Sequence, residues 1–221
     1  RDYKVTGVQT CALPIFLLCS VLFLRARRIN NKQSWIWYTL SIIFSLYTYS
    51  FTVFVVIGHG IYLIVIEKFR LTKAVVAYLI ASMIGILSFF PWLWVIANNA
   101  SIIRQVGSWT VTKLPLTYLV NIWLSNISLL FLNARPRVTI LVLLLVGLSF
   151  IYVCRKSPKR IWLFLVTLFA SITVPLIVVD VMRGSILLAI NRYSTPAYLA
   201  IQLTVGYFLY LLISSTDFAA K

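Results

Sequence analysis

Three charged side chains separate two long apolar segments near the end of the chain, and they are the residue types that bind ions or move protons. Asp180 and Arg183 follow the apolar stretch 161–179, and Arg192 precedes the apolar stretch 193–214. Charges are costly at the depth of a bilayer, and those that occur there usually have a function. The pattern therefore predicts a functional polar turn between the two segments. The alternative is an Asp–Arg pair that only joins two helices.

A second candidate is His59, the only histidine of the chain, which stands between Gly58 and Gly60 in an apolar segment. A lone imidazole there more often makes structural hydrogen bonds than takes part in catalysis, and the glycines allow a neighbouring helix to approach closely. The sequence has no glycine loop for phosphate and no Ser/His/Asp arrangement. The three cysteines have no metal spacing and are interpreted as structural thiols. We therefore expect no cofactor and assign no metal ligand; the question of a divalent metal is left open.

The elements that position these residues are membrane helices, because the composition is too apolar for a soluble domain. Hydrophobic residues make up 62% of the 221-residue chain and charged residues 11%, whereas charged residues make up about 25% of soluble domains. Uncharged runs of 17 to 24 residues are typical of membrane spans. The net charge of +16 comes from short loops, which indicates orientation by the positive-inside rule rather than nucleic-acid binding. The predicted class is an all-α, polytopic helical membrane protein.

The first fifteen residues are expected to be foreign to the protein. Residues 5–15 resemble the translation of a common sequencing adapter over all eleven positions, so residues 1–15 are excluded from fold reasoning. Residues 16–24 then form an apolar stub of nine residues. Nine helical residues rise only about 14 Å, against a hydrocarbon core of about 30 Å. We therefore expect a truncated span, and a natural protein that extends upstream of Phe16.

The uncharged stretch 34–66 is too long for one span and predicts two. As a single helix it would be about 50 Å long, so we expect a tight helical hairpin that turns near residues 47–50. The next span is 74–97, and Pro91 near its far end is expected to kink the helix or to end its regular part. Further spans are predicted at 138–154, 161–179 and 193–214, and residues 215–221 are interpreted as a cytoplasmic tail.

The stretch 98–137 is ambiguous, because it is partly apolar and partly basic. Its cations are Arg104, Lys113, Arg135 and Arg137. Its middle, residues 115–131, could cross the membrane or lie along the outer surface as an interfacial helix. The basic loops before and after this region are expected inside, and the two neighbouring spans already give the even number of crossings that this requires. We therefore predict an external interfacial helix, about six full spans and one truncated span within residues 16–214.

Several short segments carry a family resemblance when they are taken together. Residues 46–51 and 58–62 read Leu-Tyr-Thr-Tyr-Ser-Phe and Gly-His-Gly-Ile-Tyr, and Phe-Pro-Trp-Leu follows at 90–93. Trp-Leu-Phe at 162–164 leads through Asp180 to Arg-Tyr-Ser-Thr-Pro-Ala-Tyr-Leu at 192–199. In order and spacing these segments resemble the membrane glycosyltransferases of family 39, the polyprenyl-phosphate-sugar-dependent group that includes protein O-mannosyltransferases and lipid A aminoarabinose transferases. The likeness is greatest to bacterial, notably cyanobacterial, members. One departure is Tyr49, where many of those proteins have histidine.

The resemblance implies that the parent protein is an enzyme of the bacterial inner membrane. It would move a sugar from a polyprenyl-phosphate donor to an acceptor hydroxyl at the outer face of the membrane. A carboxylate must deprotonate or orient that hydroxyl, and the family pattern places it in the first external loop, upstream of Phe16. No catalytic residue is therefore assigned here, and the fragment alone is expected to be inactive.

The resemblance also implies roles for the polar turn. The leaving lipid phosphate needs cationic partners, and arginine binds phosphate oxygens through two parallel hydrogen bonds. Arg192 is the first candidate for this role and Arg183 the second, with Asp180 as counter-ion and Tyr193 as an orienting neighbour. Candidates for donor or acceptor contacts, unless they are solvated loop charges, are Arg104, Lys113, Arg135 and Arg137.

The competing interpretation is a transporter or membrane scaffold segment with no catalysis. A transporter would show Gly/Pro interruptions at corresponding places in two halves, and the sequence has no such internal symmetry. Under either interpretation the expected partners include membrane lipids and exclude nucleic acid.

Overall fold

The computed structural model describes residues 7–106, 110–111, 114–131 and 136–219. Within these ranges the chain is helical and forms no β-strand, and the pairing of Val111 with Ser185 is an isolated bridge. The all-α class predicted from the composition is confirmed.

Ten helices lie in the described ranges. In chain order they are α1 (Gly7–Ile29), α2 (Lys32–Thr48), α3 (Thr52–Ile66), α4 (Lys73–Ser88), α5 (Phe90–Asn98), α6 (Ala100–Val106), α7 (Leu116–Leu129), α8 (Pro136–Lys156), α9 (Lys159–Arg183) and α10 (Asn191–Ala219).

Capping residues mark where two of these helices begin. The side chain of Asn31 accepts a 2.8 Å hydrogen bond from the N–H of Ser34 at the start of α2. Thr72 accepts a 3.4 Å hydrogen bond from the N–H of Val75 at the start of α4. Such side chains satisfy backbone donors that the first turn of a helix leaves unpaired. The caps therefore favour helix starts at Lys32 and at Lys73.

α2 and α3 form the predicted hairpin, with a helix break at residues 49–51. Next to the break, Thr52 Oγ1 donates a 3.1 Å hydrogen bond to the carbonyl of Ser45. Farther along both helices, Tyr38 OH lies 3.1 Å from His59 Nδ1. The later residue of α3 thus meets the earlier residue of α2, so the two arms are antiparallel.

Other side-chain contacts give the directions of α1, α3 and α9. Arg27, near the end of α1, donates a 3.1 Å hydrogen bond to Tyr62 OH near the end of α3, so these two helices are parallel. The ring of Tyr62 packs edge-on against Phe164 near the start of α9, and Gly58 approaches Ser171 farther along α9. α3 and α9 are therefore antiparallel, and the end of α3 lies beside the start of α9.

This geometry gathers the basic loops at one end of the bundle, which we call the basic end. It comprises residues 25–32, 67–73 and 155–160. The turn after α9, residues 184–190, lies at the opposite end. The arrangement is the one that the positive-inside rule requires if the helices cross a membrane.

Fewer helices than predicted are long and apolar enough to cross a membrane. In the described part of the chain, three meet the requirement by length and composition: Val138–Lys156, Lys159–Arg183 and Tyr193–Ser214. Lys73–Ser88 and Phe90–Asn98 give a fourth if this pair, bent by 43° at its break, is a single span. The prediction of about six full spans is therefore not confirmed.

The difference between the predicted and the observed number of spans arises mainly in the α2–α3 hairpin, because both of its helices are short. α2 has 17 residues and α3 has 15, which corresponds to about 26 Å and 22 Å of helix against a hydrocarbon core of about 30 Å. α7 has 14 residues, and its interfacial position stays a prediction. Pro91 lies in the first turn of α5, directly after the bend, as expected for a residue that interrupts a helix.

α1 is longer than the predicted stub. It runs unbroken from Gly7 to Ile29, with Pro14 inside it, and Phe16 and Phe23 are fully buried in the core. An unbroken helix does not test where residues 5–15 come from, so their interpretation as a translated adapter stays a prediction.

The main core lies where α1, α2, α3, α4, α9 and the first part of α10 meet, and a smaller cluster joins α8 to α10. Phe23, Ile42, Leu63 and Ile172 are fully buried in the main core. Between membrane helices such contacts act through close van der Waals packing, because lipid tails are as apolar as the side chains. The core therefore fixes the helix ends on which the polar turn is built.

Candidate functional site

The candidate site is the turn from Gly184 to Ile190, which we call the Asp180 turn because Asp180 holds it in place. α9 ends where Gly184 adopts the left-handed conformation, with φ of 65° and ψ of 36°. The N–H groups of Gly184 and Ser185 both point to the carbonyl of Asp180. Glycine is the residue that enters this conformation without a Cβ penalty, so the sequence itself sets the sharp end of the helix.

The carboxylate of Asp180 is fully buried and accepts three hydrogen bonds from this turn. Ser185 Oγ donates at 2.6 Å and the N–H of Leu187 at 2.7 Å, both to Oδ1, and the N–H of Leu188 donates at 2.9 Å to Oδ2. A buried carboxylate is tolerated when such donors replace its hydration. Asp180 therefore acts as an anchor for the backbone of the turn.

Neighbouring segments hold the Asp180 turn from other sides. The N–H of Ile186 donates a 2.9 Å hydrogen bond to the carbonyl of Thr110. The Asn126 side chain, on α7, donates at 2.7 Å to the carbonyl of Ala189. Ser194 Oγ, on α10, donates at 2.8 Å to the carbonyl of Leu188. α7, α9 and α10 thus share one hydrogen-bonded end, together with the segment at residues 110–111.

Tyr193 connects the start of α10 to the start of α3. Its ring stacks on Phe51 at a centroid distance of 4.8 Å and an interplanar angle of 27°. Its N–H donates a 2.9 Å hydrogen bond to the carbonyl of Ile190. The backbone that carries Arg192 is therefore fixed on both sides, by the Asp180 turn before it and by the Tyr193 stack after it.

The structure describes the side chains of Asp180 and Arg183 but only the backbone of Arg192. Arg183 is the last residue of α9 and is exposed, and among the described side chains it makes no ion pair with Asp180. The oxygens of Asp180 point instead to the turn. Only the backbone of Arg192 is described, in the first turn of α10, so pairing between Asp180 and Arg192 stays a prediction.

Little geometry is described for the four cations that were predicted to contact the donor or the acceptor. Arg104 lies in α6 and Arg137 in the first turn of α8, and only their backbones are described. Lys113 and Arg135 lie outside the described residues. Their predicted contacts with a donor or an acceptor stay predictions.

A small cleft adjoins the Asp180 turn and was not foreseen from the sequence. It encloses about 40 Å³ and is lined by Trp123, Ile127, Phe169, Thr173, Leu188, Ser194, Ala197, Tyr198 and Ile201. Trp123 Nε1 and Thr173 Oγ1 are buried and have no hydrogen-bond partner among the described residues. Buried polar atoms are nearly always paired in native structures, so two unpaired ones beside one cleft indicate a place for a ligand atom or a water molecule.

His59 is a structural hydrogen-bonding residue in this geometry. It is buried, its Nε2 lies 3.2 Å from Ser20 Oγ, and its Nδ1 lies 3.1 Å from Tyr38 OH. Its ring stacks on Phe23 at 4.4 Å between centroids and lies parallel to Phe164 at 5.9 Å. Both nitrogens are occupied, which agrees with the non-catalytic interpretation. In the described part of the chain no three metal-ligating side chains come together.

At the coarsest level the molecule is a helical protein with at least three helices that are long and apolar enough to span a membrane, and with a hydrogen-bonded polar turn at the end opposite its basic loops. No family model, no curated protein and no solved structure matches the chain.

Proposed function

We propose that the chain is part of an integral-membrane glycosyltransferase, which moves a sugar from a polyprenyl-phosphate donor to an acceptor at the outer face of the membrane. The observation that carries the proposal is the anchoring of the Asp180 turn, with Arg183 before it and Arg192 after it. The resemblance of the segments around residues 46–62 and 192–199 to the family-39 enzymes supports it.

In this proposal the two arginines bind the donor phosphate. The lipid phosphate gains negative charge as it leaves the sugar, so fixed cations near it lower the energy of the transition state. Arg183 is exposed and makes no ion pair with the described carboxylates, so its guanidinium is available to an anion. The backbone of Arg192 is held on both sides, by the Asp180 turn and by the Tyr193 stack. A backbone that is already ordered reduces the entropy that is lost on binding.

The small cleft beside the Asp180 turn, which we call the Trp123 cleft, is assigned to the isoprenoid part of the lipid-linked sugar next to its phosphate. Its walls are mainly apolar, which suits an isoprenoid chain, and about 40 Å³ leaves room for a methyl branch rather than a whole tail. Trp123 Nε1 can donate a hydrogen bond and has no partner among the described residues. We assign it to an oxygen atom of the lipid-linked sugar. Leu188 and Ser194 belong both to this cleft and to the Asp180 turn, which links the two parts of the site.

Neither carboxylate with a described side chain is suited to be the catalytic base. Asp180 is buried and already accepts three hydrogen bonds. Glu67 lies at the basic end and pairs with Arg27 at 3.5 Å. The proposal therefore assigns the role of catalytic base to neither of them.

The test is a sugar-transfer assay on membranes that contain the natural full-length protein. Arg192→Ala should lower kcat/KM by roughly 10- to 100-fold, the loss expected when a charge-assisted hydrogen bond to phosphate is removed. Arg155→Ala is the matched control, because it also removes one arginine side chain, and Arg155 is exposed at the basic end. It should leave the rate unchanged.

The second candidate function is a membrane scaffold without catalysis. It is favoured by one observation, namely that the Asp180 carboxylate is satisfied entirely within its own turn. If membranes with normal amounts of the protein transfer no sugar, or if transfer is unaltered by Arg192→Ala, the scaffold becomes the better account of this turn.

A further inference from the structure

The turn that joins α3 to α4, residues 67–73, combines exposed apolar side chains with exposed cations; we call it the Phe69 turn. Phe69 is 80% exposed and Leu71 is 82% exposed. Apart from Met182, the next most exposed large hydrophobic side chain in the described part of the chain is Phe44, at 69%. Phe69 and Leu71 therefore extend away from the bundle farther than most of the apolar side chains on its outer helix faces.

The backbone of this turn presents these side chains through an unusual conformation. Lys68 and Phe69 have φ angles of 53° and 59°, so two successive non-glycine residues are left-handed. The N–H of Phe69 donates a 2.9 Å hydrogen bond to the carbonyl of Ile64, and the N–H of Arg70 donates at 3.1 Å to the carbonyl of Glu67. Glycine or asparagine would adopt these angles more readily, so the turn keeps a lysine and a phenylalanine against local steric preference.

The charge of the turn is positive and unneutralised. Lys68, Arg70 and Lys73 are exposed and make no ion pair with the described carboxylates. The one acidic residue of the turn, Glu67, is engaged by Arg27, whose guanidinium also donates to Tyr62 OH and lies 5.4 Å from the centre of that ring. The turn therefore presents three exposed cations that can bind an external anion.

The Phe69 turn leads into α4, which has an exposed apolar face. Val76, Leu79, Ile80 and Met83 are all exposed on that helix, and their spacing of three and four residues puts them on one side. Such a face suits contact with lipid tails, so the Phe69 turn lies where the tail region would meet the headgroups at the basic end.

We propose that the Phe69 turn is a binding surface for anionic phospholipid in the leaflet at the basic end. Lys68, Arg70 and Lys73 contact the headgroup phosphates, and Phe69 and Leu71 insert between the lipids just below them. Polybasic segments next to membrane helices attract anionic lipid in this way, and interfacial apolar side chains add contact area that a purely basic loop lacks.

The experiment measures lipid binding to the purified chain in a neutral detergent. Short-chain phosphatidylglycerol and phosphatidylcholine are titrated separately, and bound lipid is counted by native mass spectrometry. The combined change Lys68→Gln, Arg70→Gln and Lys73→Gln should weaken phosphatidylglycerol binding by roughly 100-fold, since each cation near an anionic surface contributes about fivefold. Arg70→Gln alone, which changes one exposed side chain, should weaken it by about fivefold.

The matched control removes three cations from another loop at the basic end, residues 155–160: Lys156→Gln, Lys159→Gln and Arg160→Gln. The contribution of about fivefold applies only to cations that contact the bound lipid. Residues 155–160 have no exposed aromatic side chain to hold a lipid beside them, so this variant should lose less than about threefold of the affinity for phosphatidylglycerol. Phe69→Asn with Leu71→Asn removes both apolar side chains, and asparagine tolerates the left-handed backbone at position 69. This variant should weaken binding of phosphatidylglycerol by about tenfold.

Two results would overturn the proposal. Equal binding of phosphatidylcholine and phosphatidylglycerol would mean that the turn does not recognise anionic headgroups. An equal loss in the two charge-removal variants would mean that the whole basic end, rather than the Phe69 turn, attracts the lipid.

Discussion

The carboxylate of Asp180 accepts a 2.7 Å hydrogen bond from the backbone N–H of Leu187, seven residues later, and no part of Asp180 is exposed. The bond ties the end of α9 to the turn that leads into α10. A side chain whose charge suggested ion pairing thus has a backbone partner. The geometry makes Asp180 a positioning residue for the start of α10, where Arg192 lies.

Asp180→Asn should destabilise the chain by about 2–3 kcal/mol, because an amide keeps only one acceptor oxygen and its NH₂ group would face a backbone donor. The free energy of unfolding in detergent micelles is the measurement. Ser185→Ala removes one of the three donors and should cost only about 1 kcal/mol. Equal stability of Asp180→Asn and the unchanged chain would show that the three hydrogen bonds do not hold the turn.

The glycines of the bundle should respond to alanine according to what lies next to them. A Cβ on Gly58 would lie 2.6 Å from Ser171 Oγ and 3.2 Å from the carbonyl oxygen of Thr167, whereas a Cβ on Gly147 would meet no atom of the described residues within 4 Å. Gly58→Ala should therefore lower the free energy of unfolding by about 1–3 kcal/mol. Gly147→Ala, in the middle of α8, should raise it by up to about 1 kcal/mol. Similar effects at both positions would contradict the close approach of α3 and α9.

The His59 hydrogen bonds are testable by a double-mutant cycle with Tyr38. His59→Phe leaves the hydroxyls of Tyr38 and Ser20 buried without this partner and should cost about 1–3 kcal/mol. When Tyr38→Phe is already present, the cost of His59→Phe should fall by about 1 kcal/mol, because one stranded hydroxyl is gone. Strictly additive free energies of unfolding would mean that the 3.1 Å contact contributes no stability.

The helices could be predicted from the sequence wherever charge and hydropathy change together. The predicted spans at 138–154, 161–179 and 193–214 fall inside α8, α9 and α10, and the break in the stretch 34–66 follows from its length alone. The number of spans was less predictable. Whether a helix of 15 or 17 residues crosses a bilayer depends on tilt and on neighbours, which a hydropathy pattern does not contain.

The partners of Asp180 could be predicted only in part. Gly184, four residues after Asp180, signals a helix end in the left-handed conformation, and it marks the start of the turn that the carboxylate caps. The hydrogen bonds that Thr110 and Asn126 make to the Asp180 turn could not be predicted, because they join segments more than 60 residues apart in sequence. The same holds for the Trp123 cleft, which α7, α9 and α10 enclose jointly.

The central claim is that this chain holds a lipid-linked phosphate beside the Asp180 turn. The most direct test is the affinity of the purified chain, reconstituted in nanodiscs of neutral lipid, for a polyprenyl phosphate, with the polyprenol that lacks the phosphate as the matched ligand. The phosphate should bind at least about tenfold more tightly than the alcohol, and Arg192→Ala should remove most of that difference, whereas Arg155→Ala should not. Equal affinity for the phosphate and the alcohol, or a preference that survives both Arg192→Ala and Arg183→Ala, would contradict the proposed site.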